Sequence, residues 1–469
     1  MAEENFDYDL FVIGSGPAGQ RAAIQAAKLD KRVGLAEKKA VVGGVCINLG
    51  TIPSKTLREA VIYLSGYRMK EIYGASYAVK EHITIDDLLF RVDHVIRHEI
   101  DVIRHQLVRN NVELFAAEAS LIDKHTIRLN AVDDHTSREI RARSIVIAVG
   151  TTATRNESVA CDGVNILTSD DILRLDKLPR TLAVVGAGVV GCEYASIFAA
   201  LGVRVTLIDQ RDRLLSFVDD EITDTLAYHL RDQRATLRLG EAVKSIEPFS
   251  DERGDHVRII LESGKQLATD KALYAIGRTG ATGSLKLDSV GLAVDDRGRL
   301  KVNEYYQTEV PNIYAVGDVI GFPSLASTSM EQGRVAACHA LGVETSSIPE
   351  LFPYGIYTIP EISMCGMHEE ELTEKGIPYE VGKAQYREIA RGQIIGDNTG
   401  LLKLIFHYET RKLLGVHIIG EGASELVHIG QTVLAFGGGI DYFVNTVFNY
   451  PTLAECYKTA AFDGINRLG

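Results

Sequence analysis

From Asp9 the chain opens with a short apolar run, DLFVIG, passes through a glycine-rich turn into a helical stretch, and returns to a second apolar run, RVGLAE, closing at Glu37. Short apolar runs bounded by glycine read as buried strands, and the longer segment between them as a helix, so the pattern predicts a βαβ unit. The same pattern returns from Thr181 as TLAVVGAGVVGCEYASIFAALGVRVTLID and closes at Asp209. Two further strand-like runs end in glycine, ARSIVIAVGT at 142–151 and KALYAIGRTG at 271–280, and each is read as a domain edge. In NIYAVGDVIG, Gly317 and Asp318 follow another apolar strand, a natural place for one carboxylate to meet a polar ligand group. After about residue 346 the pattern shifts to mixed α and β, with YGIYTIPEISMCG, GLLKLIFHYETRKLLGVHIIG and a turn at Gly437–Gly439.

The glycines have separate tasks. Gly14 allows a tight turn, Gly16 lets the backbone come close to a pyrophosphate, and Gly19 lets helix pack on strand. Gly186, Gly188 and Gly191 repeat the set, and Asp209 stands after Gly191 as Glu37 stands after Gly19. An acid at the end of the second strand is where this fingerprint accepts hydrogen bonds from a ribose, and the helix N-terminal amides face the phosphates. An isolated glycine motif is weak. Strand, glycines, helix, strand and acid in order, twice over, imply two bound dinucleotides.

A chain of 469 residues exceeds what one core serves and predicts roughly two to four domains. With 46% hydrophobic and 24% charged residues the composition is ordinary for a globular protein, and no apolar stretch reaches the length of a spanning helix, so no membrane partner is expected. The net charge of -13 argues against the basic stripe that nucleic acids require. Met1 to Asp9 lacks a basic segment followed by an apolar one, which predicts no secretory or organellar signal and a cytoplasmic location. Six cysteines, at 46, 161, 192, 338, 365 and 456, form no CxxC and no zinc-type spacing, and the 13 histidines show no ligand spacing. No disulfide framework and no metal site are expected.

GSGPAG, GGVCINLGTIPSK, GAGVVG and YAVGDVIG together resemble the flavoprotein disulfide reductase superfamily across essentially the whole chain. The resemblance implies an α/β fold of two Rossmann-like dinucleotide-binding domains, one for FAD and one for NAD(P), with a C-terminal α+β dimerisation domain. It implies an FAD-binding first part at 1–150, an NAD(P)-binding domain at 151–280, a central FAD-side segment at 281–346 and an interface domain at 347–469. It also gives cofactor-binding roles to Gly43, Gly44, Cys46, Gly150, Gly277, Gly317 and Asp318. A homodimer or higher homo-oligomer follows from the same resemblance.

Two departures narrow it. Disulfide reductases carry two cysteines separated by four residues, and here Cys46 is followed by Thr51. A hydroxyl can form neither the disulfide nor the thiolate of dithiol chemistry. Near the C-terminus, where the reductases carry a histidine before proline, FNYPTLAE has Tyr450; Glu455 remains, but a phenol with an ordinary pKa of about 10 is a poor proton shuttle at neutral pH. These losses, with EYASIF, RDRLL, VGDVIGFPSLAS and GIYTIPEIS, make the chain similar to the soluble pyridine nucleotide transhydrogenases.

That resemblance implies a Si-specific NAD(P)+ transhydrogenase, with FAD as cofactor and NAD and NADP as substrates, working by ping-pong hydride transfer. It gives catalytic roles to Lys55 near the flavin, to Glu193 as its ion-pair partner, and to Thr51 as a spacer in place of sulfur. A fixed cation there favours reduced, anionic flavin. Cys46 is read as a structural thiol. Asp209 alone selects NAD, whereas Arg211 and Arg213 just behind it are placed to receive the 2′-phosphate of NADP. Val189 stands where several relatives carry an aromatic over the flavin, and is read either as easing access or as a helix-start residue. Glu331 is placed near the flavin pyrimidine edge. Two other functions share these motifs: an NAD(P)H oxidase or diaphorase, and a non-catalytic flavin-binding redox sensor.

Overall fold

The structure, a computed structural model, describes residues 5–468 apart from 75, 134–135, 157–158, 253 and 346–350. The expected boundary between 346 and 347 therefore lies outside the described residues. The chain divides into two units, Met1–Thr56 with Leu89–Thr154 and Gly277–Pro349, and Leu57–Leu88 with Arg155–Ile276 and Glu350–Gly469.

In the first unit the strand Tyr8–Ile13 lies between Val33–Glu37 and the end of Ser137–Ile147, pairing parallel with both, Leu10 beside Val33 and Val12 beside Val146. Glu113–Leu121 and Ile313–Ala315 extend the parallel sheet on either side. The outer halves of Glu113–Leu121 and Ser137–Ile147 turn away to pair antiparallel with Thr126–Ala131. Val33–Glu37 is buried along its whole length, as a parallel sheet covered on both faces requires. On one face Leu10, Val12 and Leu35 pack with Ala22, Ala26 and Ile103; on the other Phe11, Ile13 and Ile145 pack with Leu121 and Leu129. The chain crosses from one side of Tyr8–Ile13 to the other between its neighbours, and such a switch point leaves a crevice at the strand ends.

The second unit repeats this design in a five-stranded parallel sheet, ordered Thr236–Leu239, Arg204–Asp209, Thr181–Val185, Lys271–Tyr274 and Ile166–Thr168. A three-stranded antiparallel sheet, Val243–Asp251 to Thr269, is inserted in sequence between the strands Thr236–Leu239 and Lys271–Tyr274 of that sheet. The same unit holds an antiparallel five-stranded sheet, ordered Tyr354–Ile356, Ile362–Gly366, Leu413–Ile419, Leu401–His407 and Tyr379–Gln385. Helices Ala423–Ala435 and Glu455–Ile465 pack on it through Val427, Val433, Tyr457 and Ala460, against Leu404, Phe406 and Val416.

Candidate functional site

Two glycine turns and the acids that close them

Tyr8–Ile13 ends at Gly14, and helix Pro17–Ala27 begins three residues later. Gly14 has φ +106°, and a Cβ there would stand 2.4 Å from the Ala148 carbonyl oxygen; a Cβ at Gly19 would stand 1.9 Å from the carbonyl oxygen of Gly14. Both positions are glycine for reasons inside the protein, a left-handed turn and a helix pressed on a strand end. Gly16 is different. Its φ of -66° suits any residue, and a Cβ there would meet no protein atom within 4 Å. Packing and backbone conformation leave the choice of glycine at 16 unexplained, whereas a backbone that must approach a pyrophosphate explains it. No side chain caps the helix at Gly16, and Pro17 gives up no amide that the first turn could use.

The second unit repeats these relations. Gly186 has φ +111°, and its added Cβ would lie 2.4 Å from the Ala275 carbonyl; at Gly191 the distance to the Gly186 carbonyl would be 1.8 Å. Gly188, with φ -80° and no side-chain cap, would again carry a Cβ with no neighbour within 4 Å. Val189 is the first residue of helix Val189–Ala200.

The acids that close the two units are both buried, and they differ in what they have left to offer. Glu37 accepts from the Ser15 amide at 3.0 Å, the Ser15 hydroxyl at 2.6 Å and the Lys39 amide at 3.0 Å. A carboxylate has about four acceptor sites, so one remains for a ribose hydroxyl. Asp209 accepts from the Ala187 amide at 2.5 Å, the Arg211 amide at 2.8 Å, and the Arg211 guanidinium at 2.9 and 2.7 Å. Its acceptor sites are all used, two of them by an arginine side chain that can leave. Burial acts to raise the Asp209 carboxyl, but Arg211 and the two amides hold it below the usual range. Arg213 donates to the Ser216 carbonyl at 2.9 Å and forms an ion pair with Asp220.

The turn at position 46 and the residues around Asp318

Gly43 and Gly44 are both left-handed, with φ +109° and +60°, and a Cβ at Gly44 would stand 2.8 Å from the Gly16 Cα. The Gly43 amide donates to the Ser15 hydroxyl at 3.0 Å, so Ser15 ties this turn to Glu37. Gln20 Nε2 donates to the Ser15 carbonyl at 2.7 Å. Cys46 follows in a short helix, Gly44–Asn48, and Thr51 opens helix Thr51–Leu64. Burial pushes the Cys46 thiol up, and a hydrogen bond with the Thr51 side chain only partly offsets it. Lys55 Nζ lies 3.4 Å from the Ser54 hydroxyl.

Asp318 lies 3.4 Å from the Thr151 hydroxyl, which accepts from Arg278 Nε at 2.8 Å. Burial raises the Asp318 carboxyl, opposed by Arg278 and Thr151. The Gly317 amide, at φ +80°, donates to Gln332 Oε1 at 2.8 Å. Gln332 belongs to helix Ala326–Ala340, and Gly333 of that helix lets it press on helix Pro17–Ala27, where a Cβ would stand 2.1 Å from the Ala18 carbonyl. Gly150 has φ +65° with open space beside it, and Gly277 has φ +140°. Glu331 is paired with Arg334 on the same helix.

Lys55 lies in the first unit and Glu193 in the second. Glu193 is only 4% exposed, and one of its oxygens accepts from the Tyr357 amide at 2.9 Å. Ser196, one turn on, accepts from the Ile359 amide at 3.0 Å.

Sequence reasoning missed Ser15, Gln20, Thr151, Arg278, Gln332 and Tyr357. Ser15 sits inside the first glycine motif, where a hydroxyl was a readable signal. Gln332 and Tyr357 carry no local signal, because each matters only through a backbone amide or acid far away in sequence.

Among the described residues no group of three His, Cys, Asp or Glu side chains is placed to hold a metal ion, and no helix is long and apolar enough to cross a membrane.

Comparison with known proteins

The family model described as pyridine nucleotide-disulphide oxidoreductase matches residues 8–333, and that of the corresponding dimerisation domain matches 352–461. A soluble pyridine nucleotide transhydrogenase from Mycobacterium bovis is 53% identical over 465 residues, covering 98% of both chains. One from Colwellia psychrerythraea is 46% identical over 472 residues, covering 99% of this chain and 100% of that one. Among solved structures, LpdA from Mycobacterium tuberculosis matches with a TM-score of 0.88 at 26% identity, over 98% of this chain and 99% of that one. The HOCl-induced flavoprotein disulfide reductase RclA from Escherichia coli matches with a TM-score of 0.86 at 29% identity, over 97% and 99%.

Proposed function

The chain belongs to the pyridine nucleotide-disulphide oxidoreductase family, and on that premise we propose that it is a flavoprotein transhydrogenase exchanging hydride between NADPH and NAD+. The observation that carries this is the pair of complete dinucleotide cradles in one chain that has a hydroxyl, Thr51, where dithiol enzymes need sulfur. FAD, when bound, supplies the group that accepts and returns the hydride.

The chain's own residues bind, orient and set charge. Helix Pro17–Ala27 and Gly16 hold a pyrophosphate, and the remaining acceptor site of Glu37 takes a ribose hydroxyl of FAD. Gly43, Gly44, Gly150, Gly317 and Asp318 complete that cradle. Gly186, Gly188 and Gly191 hold the nicotinamide nucleotide in the same way, with Gly277 at the edge of its cleft. Asp209 serves the ribose of NAD once Arg211 turns aside, and Arg211 and Arg213 serve the 2′-phosphate of NADP. Lys55 supplies a fixed cation beside the flavin with Glu193 as its counter-charge, and Thr51 fills the place of sulfur without entering the chemistry. Cys46 stays a protonated structural thiol. NADPH and NAD+ use one site in turn, which makes the kinetics ping-pong and requires no general acid or base. A homodimer built through the dimerisation domain completes the assembly, and Phe436, Val447 and Tyr450, each more than two-thirds exposed, are candidates for its apolar face. We place the enzyme in the cytoplasm, where six thiols without a disulfide among the described residues are stable.

Anaerobic stopped-flow absorbance of the holoenzyme tests this reading. NADPH bleaches the flavin band, and NAD+ then restores it at a rate compatible with turnover. A band that bleaches and recovers only when oxygen or a quinone is admitted overturns it in favour of an oxidase or diaphorase. A band that neither nucleotide bleaches indicates a non-catalytic module.

A further inference from the structure

Both arginines behind Asp209 are already committed to carboxylates of the chain. Arg211 grips Asp209 through two nitrogens, and Arg213 is paired with Asp220 while donating to the Ser216 carbonyl at 2.9 Å. Asp220 is the first residue of helix Asp220–Asp232, and its side chain is half exposed. Behind it stands a second acid: the Asp220 amide donates to Glu370 Oε1 at 3.3 Å, and Glu370 Oε2 lies 2.7 Å from His368 Nδ1. Glu369 of the same short helix contacts Lys403. Arg213 is therefore held at the rim of an acidic face.

A nucleotide with a 2′-phosphate can use Arg213 only by drawing it off Asp220, and it then binds with that carboxylate close by. A nucleotide without the phosphate meets neither cost. We propose that Asp220 is a positioning residue that sets the NADP-to-NAD preference by competing with the 2′-phosphate for Arg213. This rests on the reading of Arg213 as a 2′-phosphate ligand. Dual use of the site is served by such a competitor, because Asp209 restrains Arg211 alone and a free Arg213 would favour NADP(H) and slow the exchange of one nucleotide for the other. The competition is mild, because exposed ion pairs are weak.

The test replaces Asp220 without disturbing its helix, which is capped by Asp219 rather than by Asp220: the Asp219 carboxylate accepts from the Glu221 and Ile222 amides at 3.2 and 3.4 Å. Calorimetry on the FAD-loaded enzyme uses 2′,5′-ADP and 5′-AMP as probes that differ only in the 2′-phosphate. For Asp220→Asn the expected result is binding of 2′,5′-ADP about three- to fivefold tighter, with 5′-AMP within about 1.5-fold of the parent. The KM for NADPH falls in proportion while kcat is unchanged, and Asp220→Glu behaves as the parent. Asp220→Ser is the second variant should the amide fail to fold. Arg213→Gln separates the two ways of failing. If it weakens 2′,5′-ADP while Asp220→Asn and Asp220→Ser leave it unaltered, the inference is overturned and the reading of Arg213 stands. If Arg213→Gln leaves 2′,5′-ADP binding unaltered, Arg213 is no phosphate ligand and the inference falls with that reading.

Discussion

A thiol exchanges electrons with a second thiol and a hydroxyl does not, so with Thr51 following Cys46 this turn holds no dithiol, although Thr51 is near enough to offset part of what burial does to the Cys46 thiol. Thr51→Cys is therefore expected to close a disulfide with Cys46 under mild oxidant, with two fewer titratable thiols after denaturation than in the reduced variant. A thiol count that stays at its reduced value would show that the two side chains do not approach as described. Position 51 was legible in the sequence because a motif surrounds it. The saturation of Asp209 was not. The acid, the arginines and their order are visible in LIDQRDR, but that Arg211 folds back onto Asp209 instead of pointing outward is decided by burial and by the Ala187 amide.

The two βαβ units were legible as elements because their glycines and apolar runs are local: each close approach lies within a few residues or at a strand end. The contacts that brace them were not, because Glu193 meets Tyr357 across 164 residues and Asp219 meets Lys403 across 184. The glycines of one unit also divide by cause, and the division is testable. Gly19→Ala forces a Cβ to within 1.9 Å of a backbone oxygen and is expected to unfold or grossly destabilise the first unit. Gly16→Ala meets no protein atom, and because Gly16 precedes the helix as its N-cap the change loses only glycine's modest advantage over alanine there, so the apoprotein should keep its melting temperature to within about 2–4 °C while losing FAD. Gly188→Ala should retain FAD, judged by the flavin spectrum, and lose affinity for nicotinamide nucleotides. An apoprotein of Gly16→Ala that melts as low as Gly19→Ala would show that glycine is needed there for packing and would remove the argument for a pyrophosphate at that position.

At the scale of the whole chain, the second unit joins a parallel sheet to an antiparallel one, and a buried ion pair bridges the elements of both. Lys403, on strand Leu401–His407, is 1% exposed and reaches the Asp219 carboxylate at 2.9 and 2.8 Å; Asp219, fully buried, caps helix Asp220–Asp232. Burial acts to lower the Lys403 pKa, but Asp219 and Glu369 outweigh it and hold the ammonium above its ordinary value. A lysine raised in the folded state contributes stability that is present in full below its unfolded pKa, about 10.4, and that is lost as pH rises through the folded value. Near neutrality the Lys403 ammonium is fully charged. Removing one member strands the other, so Lys403→Met should cost about 3–5 kcal/mol at pH 7, read as a fall in the midpoint of urea unfolding followed by circular dichroism. Adding Asp219→Asn should recover much of that loss, because asparagine still caps the helix and leaves no buried charge behind. The single variant should also approach the parent above pH 11, where most lysine has lost its proton in the unfolded chain. If Lys403→Met unfolds at the parental midpoint at pH 7, the two sheets are held together by apolar packing alone, and the ion pair between them has no part in their stability.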